Sequence, residues 1–314
     1  DISDEVAVDE DKVDGVSHQN GDGDEEAESL GERKPKVARR PHAPTKAEIA
    51  EHFPLHVHYR SWCPHCRAGK SISGQHRRRD PEEEELGITI SLDYAFRVSE
   101  EIEIDMQPIL VAYDNSKRAI WTLEVEQKGV EIGVGTQWLV DRLEFAGYAG
   151  IKVTLKSDGE PSLLSLKRAV AIKRSAETGM IEAPTRESKS NGLIERAIRT
   201  WRDQFRTMRH YFEYKSKMKL DDNGVFSSWL ITSASGVLNK FKVQPNGRTA
   251  FEMITQHRCK HAAIGFCESV HFQHTARRKD DYRKDVGVLV GMNDRNNSFL
   301  IANAEGVSAS AHVA

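Results

Sequence analysis

At 314 residues, with 30% charged side chains and a mean hydropathy of −0.58, the chain has room for one large domain with small accessories and the composition of a soluble protein. No apolar run approaches the ~18–20 residues of a membrane span, and no signal segment opens the chain. The four cysteines, two of them in Cys63-Pro64-His65-Cys66, suit a reducing compartment and a metal site better than disulfides.

The net charge of −3 conceals a segregation. Residues 1–32 hold 13 acidic side chains against one lysine, about −12, which leaves about +9 for the remainder. That opening has no aromatic residue and too little apolar surface to order itself. It starts at Asp1 without an initiator Met, as expected of a piece of a longer polypeptide. Arg33, Lys34, Lys36, Arg39, Arg40 and Lys46 then reverse the sign among several prolines. This tract reads as a nuclear import signal, a DNA-contacting arm or a solvated linker. Residues 1–45 are therefore expected to form a tail.

Thr45 is the predicted N-cap of a short helix, Lys46–His52. His52-x3-His56-x6-Cys63-x2-Cys66 follows, then the basic run His76-Arg77-Arg78-Arg79. Two His and two Cys make a tetrahedral set for one Zn²⁺, and such units fold when the metal replaces a missing core. Residues 46–80 are expected to be this zinc-binding unit, with His58, His65 and His76 as rival ligands.

From Leu86 the pattern alternates. Ile88, Ile90 and Leu92 set one face of a strand against Thr89, Ser91 and Asp93 on the other. Strands are predicted at Pro108–Tyr113 and Ala119–Val125, joined by a turn at Asp114–Lys117. A helix at Gly135–Gly147, a strand at Ile151–Leu155 running into Asp158, and a basic helix at Ser162–Ala176 come next. Gly179–Ser190 reads as a loop, and a long helix spans Asn191–Lys215. This order implies an α/β domain over 86–255, a mixed sheet with helices on both faces.

Asp93 within a strand, Asp158 at the end of another and Glu195 in the first turn of a helix can together hold two divalent metal ions, Mg²⁺ or Mn²⁺, the common machinery for phosphodiester chemistry. On a helical wheel Arg199, Arg202, Arg206 and Arg209 fall close to Glu195. Ile194, Ile198, Trp201, Phe205, Met208 and Phe212 form a separate apolar stripe. The arginine face suits a phosphate backbone, or simply solvent, with Glu195 pairing to Arg199. Glu187 is a rival third carboxylate but lies in the loop; Asp105 and Asp114 receive no metal role.

Beyond this, Phe226–Asn239 and a short segment after Pro245–Thr249 read as helices. Residues 256–314 read as a small β-rich unit, pictured as a barrel, with strands at Ile264–Phe272, Val286–Met292 and Ser298–Ala302. Arg277, Arg278, Lys279, Arg283 and Lys284 are DNA contacts or loop charge, and Cys259 and Cys267 structural or incidental.

These pieces resemble the integrase of copia-like long-terminal-repeat retrotransposons, over about residues 46–305. The resemblance rests on Cys63-Pro-His-Cys-Arg-Ala-Gly-Lys70, Asn191-Gly-Leu-Ile-Glu-Arg196, Gly247-Arg-Thr-Ala-Phe-Glu252 and Gly287-Val-Leu-Val-Gly291. Departures are a short His56–Cys63 gap, Gly-Glu after Asp158 where Asn-Gly-Gly is common, and a spacing of 36 residues between Asp158 and Glu195, about one longer than usual. The resemblance implies an RNase H-like core and a nuclear polynucleotidyl transferase that processes DNA 3′ ends and joins them to target DNA as a homo-oligomer, with a cytoplasmic particle stage and no membrane partner. It implies that Asp93 bridges two Mg²⁺ ions, with Asp158 completing one site and Glu195 the other, and that Asn191 contacts the DNA end. A decayed DNA-binding descendant and an RNase H-type nuclease are the alternatives.

Overall fold

A computed structural model describes residues 43–70, 87–96, 107–129, 133–183, 191–273 and 284–313. The tail, His76–Arg79, Asp105, Glu187 and Arg277–Arg283 lie outside the described residues. Two short helices come first, α1 (Lys46–His52) and α2 (Pro64–Lys70). Thr45 caps α1 through a reciprocal pair of bonds with Glu48, as its position suggests.

Three antiparallel strands follow: β1 (Thr89–Ala95), β2 (Ile109–Asp114) and β3 (Ile120–Glu124). After α3 (Val134–Phe145), strand β4 (Val153–Ser157) pairs parallel to β1. Helix α4 (Pro161–Lys173) then leads to β5 (Thr178–Glu182), parallel to β4. The order β3-β2-β1-β4-β5 makes the expected mixed sheet. β5 falls where the sequence reads as loop. It is an edge strand with half-exposed residues and a glycine, so it carries neither alternation nor a strong apolar run.

Each sheet face is covered by a separate apolar cluster. Ile90, Leu92, Val153 and Leu155 pack with Leu139 and Leu143 of α3 and Leu163 and Leu166 of α4. The opposite face carries Ile109, Val111 and Ile120 against α5 (Gly192–Ser216) and α6 (Val225–Phe241). The predicted stripe of α5 is the buried one: Ile194, Ile198, Trp201, Phe205 and Met208 are inside, with Phe212 partly covered. Trp201 also donates its indole N–H to the Ile231 carbonyl at 3.1 Å.

Helix α7 (Ala250–Thr255) is started by the Gly247–Glu252 segment. Gly247 turns the chain at φ +78, and Thr249 and Glu252 cap the helix reciprocally at 2.9 and 3.1 Å. The last part is an antiparallel sheet in the order β6 (Ser269–Gln273), β7 (Lys284–Met292), β8 (Phe299–Asn303), β9 (Gly306–Ser310). A single bridge between Phe272 and Val313 ties the end of the chain to β6, and the unit is a four-stranded antiparallel sheet where the sequence suggested a barrel. β9, Gly-Val-Ser-Ala-Ser, is small and mostly exposed and left no strand signal in the sequence. At Gly287 a Cβ would stand 2.5 Å from Ile301 and 2.8 Å from the Ala302 carbonyl, so β7 pairs closely with β8 only with glycine there. Among the described residues no helix is long and apolar enough to cross a membrane.

Candidate metal centres and the basic helix

The parallel register between β1 and β4 brings the first two carboxylates together. Thr89 pairs with Thr154, Ile90 with Leu155 and Ser91 with Lys156. Carried two residues further, the same register sets Asp93 level with Asp158 on neighbouring strands, which run about 4.8 Å apart. Leu92 and Tyr94 point into the α3–α4 cluster. Asp93, between them, therefore points to the opposite face, the one that α5 covers. Glu195 lies exposed in the first turn of α5, one residue after the anchoring Ile194.

The electrostatics bear out this proximity. Burial pushes the Asp93 carboxyl up to about 6, against a 2.7 Å bond from the Tyr94 N–H, and the charges of Asp158, Glu160 and Glu195 push it the same way. Asp93 and Asp158, both partly buried, and the exposed Glu195 are hard-oxygen donors of the kind suited to divalent cations. As a set they stand further apart than the His and Cys group described below; among the described residues only its four members bring all their candidate ligand atoms within 4.8 Å.

Two residues beside this site were not evident from the sequence. Glu160 precedes α4 and is bonded by Lys128 Nζ and Ser162 Oγ, both at 2.7 Å. Burial works to raise its carboxyl, but the two donors prevail and hold it below the ordinary value. Lys128 also lies 4.9 Å from the Phe96 ring and 5.3 Å from that of Tyr94. Glu160 could have been noticed as the acid two residues past Asp158; nothing in the sequence marks Lys128. Asp114 is buried at the end of β2, where the Ser116 and Lys117 N–H groups and the Tyr148 hydroxyl bond it, which is a turn role as anticipated.

The arginines of α5 divide. Arg199, Arg202 and Arg206 are exposed. Arg202 reaches the Phe96 carbonyl at 3.2 Å, and Arg206 pairs with Asp203 at 2.5 Å. Arg209 is half-buried and bonded to Glu213 at 2.9 Å and Asp222 at 2.6 Å, so it ties the end of α5 to the following turn. Asn191 leaves its own helix uncapped by its side chain.

The group that could hold a metal ion is His52, His56, Cys63 and Cys66, all buried. His52 Nε2 and His56 Nδ1 stand 3.3 Å apart, and the sulfur–nitrogen separations are 3.3, 3.5 and 3.9 Å. Around an ion with Zn–N of about 2.0–2.1 Å and Zn–S of about 2.3 Å, tetrahedral edges come to about 3.3–3.8 Å. The donors fit. Of the rivals, His65 turns to His210 of α5, Nδ1 to Nδ1 at 2.7 Å, and His58 offers only its carbonyl to Cys66.

This unit is built onto α5. A Cβ at Gly69 would lie 2.3 Å from Thr207 Oγ1 and 2.9 Å from its backbone nitrogen, so glycine permits the crossing of α2 and α5. Lys70 bridges the His56 and Val57 carbonyls to Gln204, and Gln204 Nε2 donates to the Leu55 carbonyl at 2.6 Å. Burial lowers Lys70 to about 8. The Gly-Lys pair that ends the Cys-x2-Cys segment is thus a docking device.

No family model and no curated protein matches this chain. Among solved structures it is similar to one from the simian T-cell lymphotropic virus intasome in complex with PP2A regulatory subunit B56 gamma, at 12% identity and a TM-score of 0.38, covering 79% of this chain and 84% of that one. It is also similar to the HTLV-2 integrase catalytic core domain in complex with magnesium. The trimeric form gives 14% identity, a TM-score of 0.35 and coverage of 53% and 95%; the dimeric form gives 14%, 0.34, 52% and 94%. Likeness this remote leaves the chemistry to be read from this chain's own residues.

Proposed function

We propose that this chain is a retrotransposon-type integrase that cuts and joins DNA 3′ ends at Asp93, Asp158 and Glu195. The observation that carries this reading is the parallel register that levels Asp93 with Asp158 on the face α5 covers, with Glu195 in the first turn of that helix. When bound there, a pair of divalent cations supplies a more acidic nucleophile and charge neutralisation at the leaving oxygen. Asp93, central among the three, would contact both ions, with Asp158 and Glu195 each serving one. Lys128 holds Glu160 aside, so that a fourth acid does not compete.

Arg199, Arg202 and Arg206 continue along α5 from Glu195 with exposed side chains suited to a DNA backbone, Arg202 and Arg206 exchanging their contacts with the Phe96 carbonyl and Asp203 for phosphates. Asn191, at the start of α5, would contact the DNA end. His52, His56, Cys63 and Cys66 would hold one Zn²⁺ whose part is structural, keeping α1 and α2 folded against α5. Boundaries at 46–80, 86–255 and 256–314 then describe zinc unit, core and β unit. Joining two DNA ends calls for more than one copy, and its target lies in the nucleus.

The test is strand transfer. A labelled terminal-repeat duplex is incubated with plasmid and Mn²⁺ or Mg²⁺, using the parent chain and Glu195→Gln. Joined product from the parent alone is expected. DNA retained on a gel by both proteins, with no joining by either, would instead identify a DNA-binding descendant without catalysis.

A further inference from the structure

A cavity of about 300 Å³ lies between the core and the C-terminal sheet. Trp121 of β3, Trp138 of α3 and Trp229 of α6 line it, three of the protein's five tryptophans. Among the described residues these three indoles make no ring contact with one another. They stand around the space instead of packing together, although aromatic rings gain by doing so. Trp121 supplies the observation that points to a ligand. It is only 3% exposed, and its indole N–H has no acceptor among the described residues. That nitrogen is not sealed off, as the Nε of Arg142 is, and it opens on the cavity that Trp121 lines. Trp201, similarly buried, instead gives its N–H to the Ile231 carbonyl. A buried indole N–H usually finds a partner, and a donor left unmet costs free energy. Gly236, in the middle of α6, also lines the cavity, and a Cβ built there meets nothing within 4 Å. Glycine within a helix is entropically costly; here its missing side chain keeps space open.

The charged groups of the lining are already matched. Asp294 accepts Arg142 Nη1 at 2.6 Å and the buried Lys240 ammonium at 2.5 Å. Arg295 pairs with Asp141 at 3.4 Å. An ionic guest would shed its water here and meet no free counter-charge, which is costly. A neutral guest escapes that cost. The volume is at the lower end for small-molecule sites.

We propose that this cavity binds a small, neutral, planar aromatic molecule carrying one acceptor atom, its ring among the three indoles and its acceptor on the Trp121 N–H. None of Asp93, Asp158 and Glu195 lines it, so binding does not depend on DNA joining. Calorimetry of the whole chain with 2-acetylnaphthalene tests it. The controls are 2-naphthoate, 2-naphthylmethylamine and 2-ethylnaphthalene, which keep the ring but carry an anion, a cation or no acceptor. One acetylnaphthalene per chain is expected, bound about tenfold more tightly than any control. Trp121→Phe keeps a ring and removes the N–H, and should weaken acetylnaphthalene to the level of ethylnaphthalene while leaving the latter unchanged. Gly236→Met fills the space and is expected to abolish binding without lowering the melting temperature. Gly236→Ala is expected to melt no lower than the parent. Acetylnaphthalene binding that is absent at submillimolar concentration, is matched by a control, or survives either Trp121→Phe or Gly236→Met undiminished would overturn the proposal. So would a lower melting point for Gly236→Ala, since the position would then be packed.

Discussion

Asp294, in the turn between β7 and β8, accepts the ammonium of Lys240 at 2.5 Å, and Lys240 is entirely buried in α6. One carboxylate thereby fastens the C-terminal sheet to the core, because its other oxygen takes Arg142 of α3. Both cations depend on it.

Asp294→Ala leaves a buried ammonium unpaired, which is far costlier than losing a surface pair. A loss of about 3 kcal/mol is expected in urea denaturation. Lys240→Met with Asp294→Ala should recover much of it, and a double variant as unstable as the single one would contradict this account.

Zinc uptake should release about one proton from the cysteine pair at neutral pH. The hydrogen bond with Cys66 lowers the Cys63 thiol against the effect of burial, while Cys66 itself is pushed up. Burial lowers His56, which favours its neutral, metal-binding form. Titrations in buffers of different ionisation enthalpy read the count, and two protons would contradict the pairing. Cys63→Ser should reduce bound zinc to a small fraction of one per chain.

Gly69→Ala should cost about 1–3 kcal/mol by overpacking. Rotating the Thr207 side chain cannot clear the backbone nitrogen, 2.9 Å from the new Cβ. The four ligands are untouched, so zinc content by native mass spectrometry should stay at one. Unchanged stability would mean that α2 does not seat on α5 in this way.

Asp93 gives a pH signature. Its carboxyl, at about 6, binds its proton more tightly folded than unfolded. Its contribution to stability is therefore complete below the ordinary carboxylate value and is lost as pH rises through about 6. In metal-free protein Asp93→Asn should raise stability at pH 7.5 by about 1 kcal/mol, a figure reduced for partial solvent exposure. It should bring no gain at pH 4. Mg²⁺ should stabilise the parent and not the variant. Thermal melts at the two pH values decide it.

Much of this architecture was legible because period and position agreed. The apolar stripe of α5, the alternation of β1 and the Thr45 cap each arise from local physics that a sequence displays directly. The two strands that escaped notice, β5 and β9, are short and half-exposed, and their pairing partners rather than their own residues make them strands. The His52, His56, Cys63 and Cys66 set was readable by spacing, but choosing it over His65 required the fold, which turns His65 to His210. Lys128 and Glu160 meet across 32 residues, and Arg209 is claimed by Asp222, so neither pairing could be read from local pattern. In two segments that carry the family resemblance, the closing residues Gly69-Lys70 and Thr249–Glu252 do packing and capping work.

Helix α5 and its apolar cluster are common property. Leu55 from the zinc unit, Trp201 from the core, and Phe266 and Val290 from the C-terminal part belong to one continuous interior. Severing the chain between these parts would strip cover from the same cluster instead of liberating three independent folders. Melting should accordingly proceed in one cooperative step, so that damage at the cysteines registers as a change in how firmly the helix bearing Glu195 is held.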